Sequence, residues 1–214
     1  MSKLKEIHDY LESYGLSKEQ LQAADSTSVG ISKEIMEYAH KDQKRVNGEE
    51  YANHPARILM NYQTLVGIDT NAVNTDMLEK IGIPFNGVQE VCILHDVIED
   101  TDFTMEDIKE IFREVGLLNH FEIWIEDALN RITHINEMSY QEYLNVVLKN
   151  PISSLVKFLD LTDNLTLSSL VKLSDEEVDR CHRYIEYAKQ INDKYHFLEL
   201  IDIYRKEVLR WLTT

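Results

Sequence analysis

Apolar residues recur along this chain at three- and four-residue intervals in almost every window, and strict alternation is nowhere sustained. The pattern predicts an all-α fold, a helical bundle. Leu4, Ile7, Leu11 and Tyr14 mark one face of a first helix, and Ser17 with Gln20 reads as the capping box of a short second one. Ile31, Ile35, Tyr38 and Ala39 outline a third, which gives way to the polar, basic run from Lys41 to Gly48, read as a loop. His54-Pro55 opens the next helix, with proline at the first helical position and Ile58, Leu59 and Tyr62 on its buried face.

The stretch from Gly67 to Gly87 is polar and turn-rich, with a short helix around Met77 to Ile81. Val88 to Ile98 is apolar on nearly all sides and is expected to form one central buried helix, its charged residues gathered at the C-terminal end. Thr104 with Asp107, Ser139 with Glu142 and Ser174 with Glu177 mark three further helix starts, Gly116 marks a stop and Pro151 another start. Phe197 to Leu212 reads as a closing helix. No repeat, low-complexity tract or linker interrupts the chain, so residues 1–214 are expected to form one domain, with a core over about 31–195, an N-terminal helical extension over 1–27 and a C-terminal helix over 197–212.

Composition narrows the function. Among 214 residues, 38 are acidic and 22 basic, a formal net charge of -16, while 43% are hydrophobic, which is globular rather than disordered. So negative a chain repels phosphate backbones and anionic lipid, which argues against polymeric nucleic acid and membranes as partners. A small anionic ligand needs a local cationic site. Cys92 and Cys181 are too few and too far apart for a disulfide scaffold, and residues 1–6 lead into a polar helix without an apolar signal region. A cytoplasmic, unexported protein is expected.

The chemistry concentrates in Leu94-His95-Asp96-Val97-Ile98-Glu99-Asp100, where an imidazole and three carboxylates share one end of a buried helix. Carboxylates so close repel one another unless a cation neutralises them. A solvated helix end is the plain alternative for a lone His-Asp pair. His54 at the head of another helix, and Asp163 within the apolar run Phe158-Leu159-Asp160-Leu161-Thr162-Asp163-Asn164-Leu165, tip the balance towards a mixed N/O metal site.

His54, His95-Asp96 and Asp163, in that order, resemble the H…HD…D signature of the HD-domain metal-dependent phosphohydrolases. Ala39-His40-Lys41-Asp42-Gln43-Lys44-Arg45-Val46-Asn47-Gly48-Glu49-Glu50-Tyr51-Ala52-Asn53-His54-Pro55 resembles the AHxGQxRxxGxPYxxHP stretch of RelA/SpoT-type hydrolase domains, and Leu94 to Thr101 resembles their LHDxxEDT. The resemblance implies an HD-type bundle in which His54, His95, Asp96 and Asp163 bind one divalent metal, Mn²⁺ in that family. It implies that Glu99 and Asp100 position or deprotonate the attacking water, and that Arg45, Lys44 and Asn164 meet the substrate. The implied reaction removes the 3′-pyrophosphate of the alarmones ppGpp and pppGpp, a stringent-response activity. The family's ADRLHN segment is read here as Thr162-Asp163-Asn164-Leu165-Thr166-Leu167, which keeps the ligand Asp and replaces the Arg, His and Asn that follow.

Three readings follow. The first is a stand-alone alarmone hydrolase, since a chain ending at residue 214 leaves no room for a synthetase domain. The second keeps the chemistry on another nucleotide or nucleoside phosphate, because of the altered segment after Asp163. The third is a catalytically silent nucleotide-binding module, against which the intact Glu99-Asp100 pair argues. The partner expected is a small phosphorylated nucleotide, and a homo-oligomer is compatible with the sequence. His8, His120, His182 and His196 read as surface or packing histidines without acidic partners at ligand spacing, and His40 as structural or catalytic with equal weight.

Overall fold

Helical periodicity is realised throughout the computed structural model, which describes residues 2–66, 78, 82–134, 137–168 and 173–199, with the backbone alone at 167 and 168. The described residues form twelve helices and no strand: α1 (Lys3–Ser13), α2 (Lys18–Asp25), α3 (Ser28–Ala39), α4 (Asn53–Val66), α5 (Val88–Leu94), α6 (Val97–Asp100), α7 (Met105–Glu114), α8 (Leu118–Trp124), α9 (Glu126–Ile132), α10 (Tyr140–Val147), α11 (Pro151–Ser168) and α12 (Asp175–Tyr195). The fold is all-α. None of the described helices is long and apolar enough to cross a membrane.

All four capping boxes expected from the sequence are present, at Ser17/Gln20, Thr104/Asp107, Ser139/Glu142 and Ser174/Glu177. In each, the cap hydroxyl accepts the N–H three residues on, and the Gln, Asp or Glu there reaches back to the cap N–H, so two orphan donors of the first turn are satisfied. Gly116 closes α7 with φ 77°, and Pro151 opens α11. α4 begins at Asn53, two residues ahead of the proline. The expected short helix at 77–81 lies outside the described residues apart from Leu78, which is buried. Of the expected helix 197–212, only 197–199 are described; Phe197 there is buried against Phe158 and Tyr195.

α5 is the centre of the bundle. Six of its seven residues are buried, including Glu90, and it is packed by α3, α4, α9 and α11. The single helix expected over 88–98 is instead divided into α5 and α6. His95 keeps helical angles, but Asp96 turns to φ -98°, ψ -8°, at the sparsely populated edge of the helical region where active-site residues are often found. Consecutive residues of a straight helix point about 100° apart. The turn at Asp96 lets two neighbours serve one point.

α5 starts at Gly87, whose φ of 86° is left-handed, and the carbonyl oxygen of Trp124 occupies the place a Cβ would take. Gly87→Ala is therefore expected to destabilise the protein by more than about 1 kcal/mol, read as a lower urea midpoint. Acid should also weaken the fold through its caps. Hydrogen bonds from Thr104, Ser139 and Ser174 hold Asp107, Glu142 and Glu177 below their ordinary values of 3.8 and 4.5. A depressed carboxyl pKa stabilises the fold above the ordinary value, and that contribution is lost as pH falls through the depressed one. Asp107→Asn with Glu142→Gln and Glu177→Gln preserves side chains able to accept the cap N–H, as Gln20 does. It is expected to flatten the loss of stability from pH 4.5 downward, measured by urea unfolding across that range.

Candidate metal centre

Three helices bring four side chains to one buried point. His54 comes from the first turn of α4, His95 and Asp96 from the junction of α5 and α6, and Asp160 from the middle of α11. His54, His95 and Asp96 offer ligand atoms within 4.8 Å of one another. Asp160 Oδ1 lies 3.1 Å from His54 Nε2 and 4.0 Å from His95 Nε2, and Asp96 Oδ2 lies 3.6 Å from His54 Nε2. His54 and His95 are 1% and 2% exposed.

The outer nitrogen of each ring is engaged elsewhere. His95 Nδ1 donates to the Cys92 carbonyl at 2.9 Å, which places the lone pair of a neutral ring on Nε2. That Nε2 is buried and makes no hydrogen bond, although Asp96 Oδ1 lies 3.2 Å away. His54 Nδ1 donates to Asp163 Oδ2 at 2.7 Å, and Arg57 grips Asp163 through Nε at 3.0 Å and Nη2 at 3.1 Å. His54 Nε2 in turn makes a hydrogen bond with Asp160 Oδ1 at 3.1 Å; since a carboxylate only accepts, a second ring proton or a cation in its place satisfies that contact. The donor set therefore fits a divalent ion held by two imidazoles and two carboxylates.

The electrostatics agree. Burial alone would lower the His95 pKa, yet Asp96 and Asp160 push it up to about 9, so the field favours positive charge at this point. Burial would raise Asp96 and Asp160. His95 holds Asp96 well below the usual carboxylate range, and Lys157, with His54, does the same for Asp160. Lys157 lies 2.8 Å from Asp160 Oδ2 and is itself held protonated, since Asp160 outweighs its desolvation. Asp163, against its own burial, is lowered to about 2 by His54 and Arg57.

The loop between α3 and α4 forms one wall. Arg45 N–H donates to the Glu49 carbonyl at 2.8 Å and Tyr51 N–H to the Gln43 carbonyl at 3.0 Å, closing a turn that sets Tyr51 beside the centre. The Tyr51 hydroxyl lies 2.8 Å from Asp96 Oδ2 and also meets Asp100 Oδ2. Gln43 Nε2 donates to the Asp100 carbonyl at 2.6 Å, so its Oε1 accepts from His40 Nδ1 at 2.7 Å and leaves His40 Nε2 buried without a hydrogen bond. His40 also stacks on Tyr51, with ring centroids 4.5 Å apart.

Glu99 and Asp100 lie one turn beyond His95-Asp96 on α6. Glu99 accepts the His134 N–H at 3.0 Å, and desolvation raises its carboxyl above the usual value. Both acids line an open cleft of about 660 Å³, whose other walls include Lys3, Lys41 and Gln43. Arg45 donates to Asn164 Oδ1 at 2.5 Å, and its Nη1 is buried without a hydrogen bond. Lys44 pairs with Glu50 at 2.9 Å in an exposed contact.

The expected ligand Asp163 thus touches the outward nitrogen of His54, and Asp160 takes the inward place. The two lie three residues apart, nearly one turn of α11. A second placement of ADRLHN puts its Asp on Asp160 and its Asn on Asn164, which donates to Asp160 Oδ1 at 2.6 Å. That Asp-x-x-x-Asn spacing was the available signal. Tyr51 and Gln43 stand within the quoted motif but had no role in the sequence reading, and for Arg57 and Lys157 nothing in the sequence points to the centre.

No protein-family model matches the chain. Guanosine-3′,5′-bis(diphosphate) 3′-pyrophosphohydrolase MESH1 of Drosophila melanogaster is 27% identical over 172 residues, covering 75% of this chain and 82% of the relative. A guanosine-3′,5′-bis(diphosphate) 3′-pyrophosphohydrolase of Aquifex aeolicus (strain VF5) is 27% identical over 179 residues, 77% of this chain but 21% of that longer protein. Among solved structures, one described as a metazoan ortholog of SpoT that hydrolyzes ppGpp and plays a role in starvation responses has a TM-score of 0.53 at 21% identity. It covers 85% of this chain and 96% of the other, a likeness of fold.

The two aspartates of α11 are separable by titration calorimetry with Mn²⁺. Asp163→Asn, which loosens the support of His54, is expected to weaken binding by about 10–100-fold. Asp160→Asn, which removes an inward oxygen, is expected to weaken it further, and the reverse order would return Asp163 to the ligand set.

Proposed function

We propose that this chain is an HD-type, metal-dependent phosphohydrolase that removes the 3′-pyrophosphate of ppGpp and pppGpp, giving GDP or GTP and pyrophosphate. The observation that carries the reading is the pair of buried imidazoles whose Nε2 atoms face Asp96 and Asp160, that of His95 without a hydrogen bond, with Glu99 and Asp100 one turn away. A relative of that activity, matched over most of its length, supports it.

His54, His95, Asp96 and Asp160 would hold one divalent ion, Mn²⁺ by the resemblance. When bound, such an ion polarises a phosphoryl oxygen and lowers the pKa of a bound water towards neutrality. The protein's own groups do the rest. Asp163 with Arg57, and the Cys92 carbonyl, keep both rings in the tautomer that turns Nε2 inward. Glu99, with its raised carboxyl pKa, is the group suited to accept the proton of the attacking water. Asp100 is held by Tyr51 and orients that water with it. Arg45 Nη1 supplies positive charge to a substrate phosphate, and Asn164 aligns the Arg45 guanidinium.

Lys44, paired with Glu50, serves the substrate by charge at longer range. The hydrolase core spans about 31–195, with 1–27 as an extension. Two free cysteines and a nucleotide substrate fit a cytoplasmic setting.

With Mn²⁺, the purified protein is expected to release pyrophosphate from ppGpp. Glu99→Gln should lower kcat by about 10²–10⁴-fold, and Tyr51→Phe, which frees Asp96 and Asp100, by about 10–100-fold. Turnover confined to other nucleotides would overturn the substrate, and full activity in both variants would overturn the site.

A further inference from the structure

A second group of metal-type donors lies where the first three helices meet, and it shares no residue with the centre above. His8 on α1, Asp25 at the end of α2 and Glu34 on α3 offer ligand atoms within 4.8 Å of one another. His8 Nε2 lies 3.2 Å from Asp25 Oδ1 and 3.4 Å from Glu34 Oε2. Donors around a tetrahedral ion with bonds of about 2.0–2.1 Å stand about 3.3–3.4 Å apart. The two measured edges are close to that spacing.

Glu34 is the independent sign that a ligand belongs here. It is 4% exposed, and neither carboxylate oxygen makes a hydrogen bond, although both lie buried. A carboxylate in that state is costly unless a cation or proton meets it. One Nε2–H can serve Asp25 or Glu34 but not both, and it is Asp25 that makes the hydrogen bond. Burial, with Asp25 and Glu37 adding negative charge, pushes the Glu34 carboxyl up to about 8, and a proton there is shared with Asp25 when no cation meets the pair.

We propose that His8, Asp25 and Glu34 bind a second divalent cation, of zinc type, that clamps α1 and α2 onto α3. One imidazole and two carboxylates suit a borderline ion, and its two positive charges cancel the two carboxylates. The clamp has a structural use. α2 fully buries only Leu21, and α1 only Ile7 and Leu11, with Leu4 and Tyr10 partly buried beside them, so each helix leaves room for a further fastening. α3 in turn packs on α5, which His95 caps. The site is a fastening for the extension, apart from the hydrolytic residues.

The test counts metal in the full-length protein, stripped with chelator and reloaded with Zn²⁺, by elemental analysis and calorimetry. Two equivalents are expected for the unaltered chain, and one for His8→Gln, for Glu34→Gln and for Asp160→Asn, with none in Asp160→Asn combined with His8→Gln. Added Zn²⁺ should raise the melting temperature of Asp160→Asn and leave the combined variant unmoved. Should Glu34→Gln fail to fold, His8→Gln decides, at a side chain that is only partly buried. One equivalent in the unaltered chain, unchanged by His8→Gln but lost in Asp160→Asn, would overturn this site and leave the hydrolytic reading standing. Binding that persists in every variant would mark adventitious metal and overturn it as well.

Discussion

Two buried imidazoles have their Nδ1 protons committed outward, one to a carbonyl and one to a carboxylate, and everything else at the centre follows from that. With Nδ1–H of His95 on the Cys92 carbonyl and Nδ1–H of His54 on Asp163, both Nε2 atoms face the Asp96 and Asp160 carboxylates. Carboxylates only accept, so the arrangement calls for positive charge at that point. In the protein alone Asp96 and Asp160 favour a proton on His95. The same demand explains the buried Lys157 and the Arg57 clamp, each of which offsets one carboxylate without entering the space between the rings.

The fold serves that constraint through placement rather than through any one element. α5 is sunk in the bundle so that the residue capping its end, His95, is buried, and the turn at Asp96 keeps the next side chain at the same point. α4 and α11 approach from either side, each presenting one turn. The loop ahead of α4 adds a polar wall in which each group orients the next, from the Asp100 carbonyl through Gln43 to His40, with Tyr51 stacked beside it. Within a chain of net charge -16, acids nearest the centre are paired with cations, Asp160 with Lys157 and Asp163 with Arg57, and Arg45 keeps an Nη1 without a hydrogen bond.

Much of this was legible in the chain. Period, caps and stops predicted the helices, because a capping box is a local exchange of hydrogen bonds among four consecutive residues and needs no distant partner. His54, His95 and Asp96 were legible because their motifs are contiguous. The division of the central helix was not, since Val88 to Ile98 is apolar enough for one helix and the turn at Asp96 sets its carboxylate against His54 of α4 and Tyr51 of the loop ahead of it.

Nor could spacing alone choose between Asp160 and Asp163. Both are buried acids of one apolar helix, and which of them faces the rings depends on how α11 is rotated against α4 and α5. His8 shows the same limit: without an acidic neighbour at helical spacing it reads as a surface residue, yet packing of α1, α2 and α3 sets Asp25 and Glu34 against it. The sequence by itself determined the helical class, the capped helix starts and the chemical types at the centre, all carried by residues within a few positions of one another. The tertiary structure decided which carboxylate meets which nitrogen, because that depends on the relative rotation of helices more than a hundred residues apart.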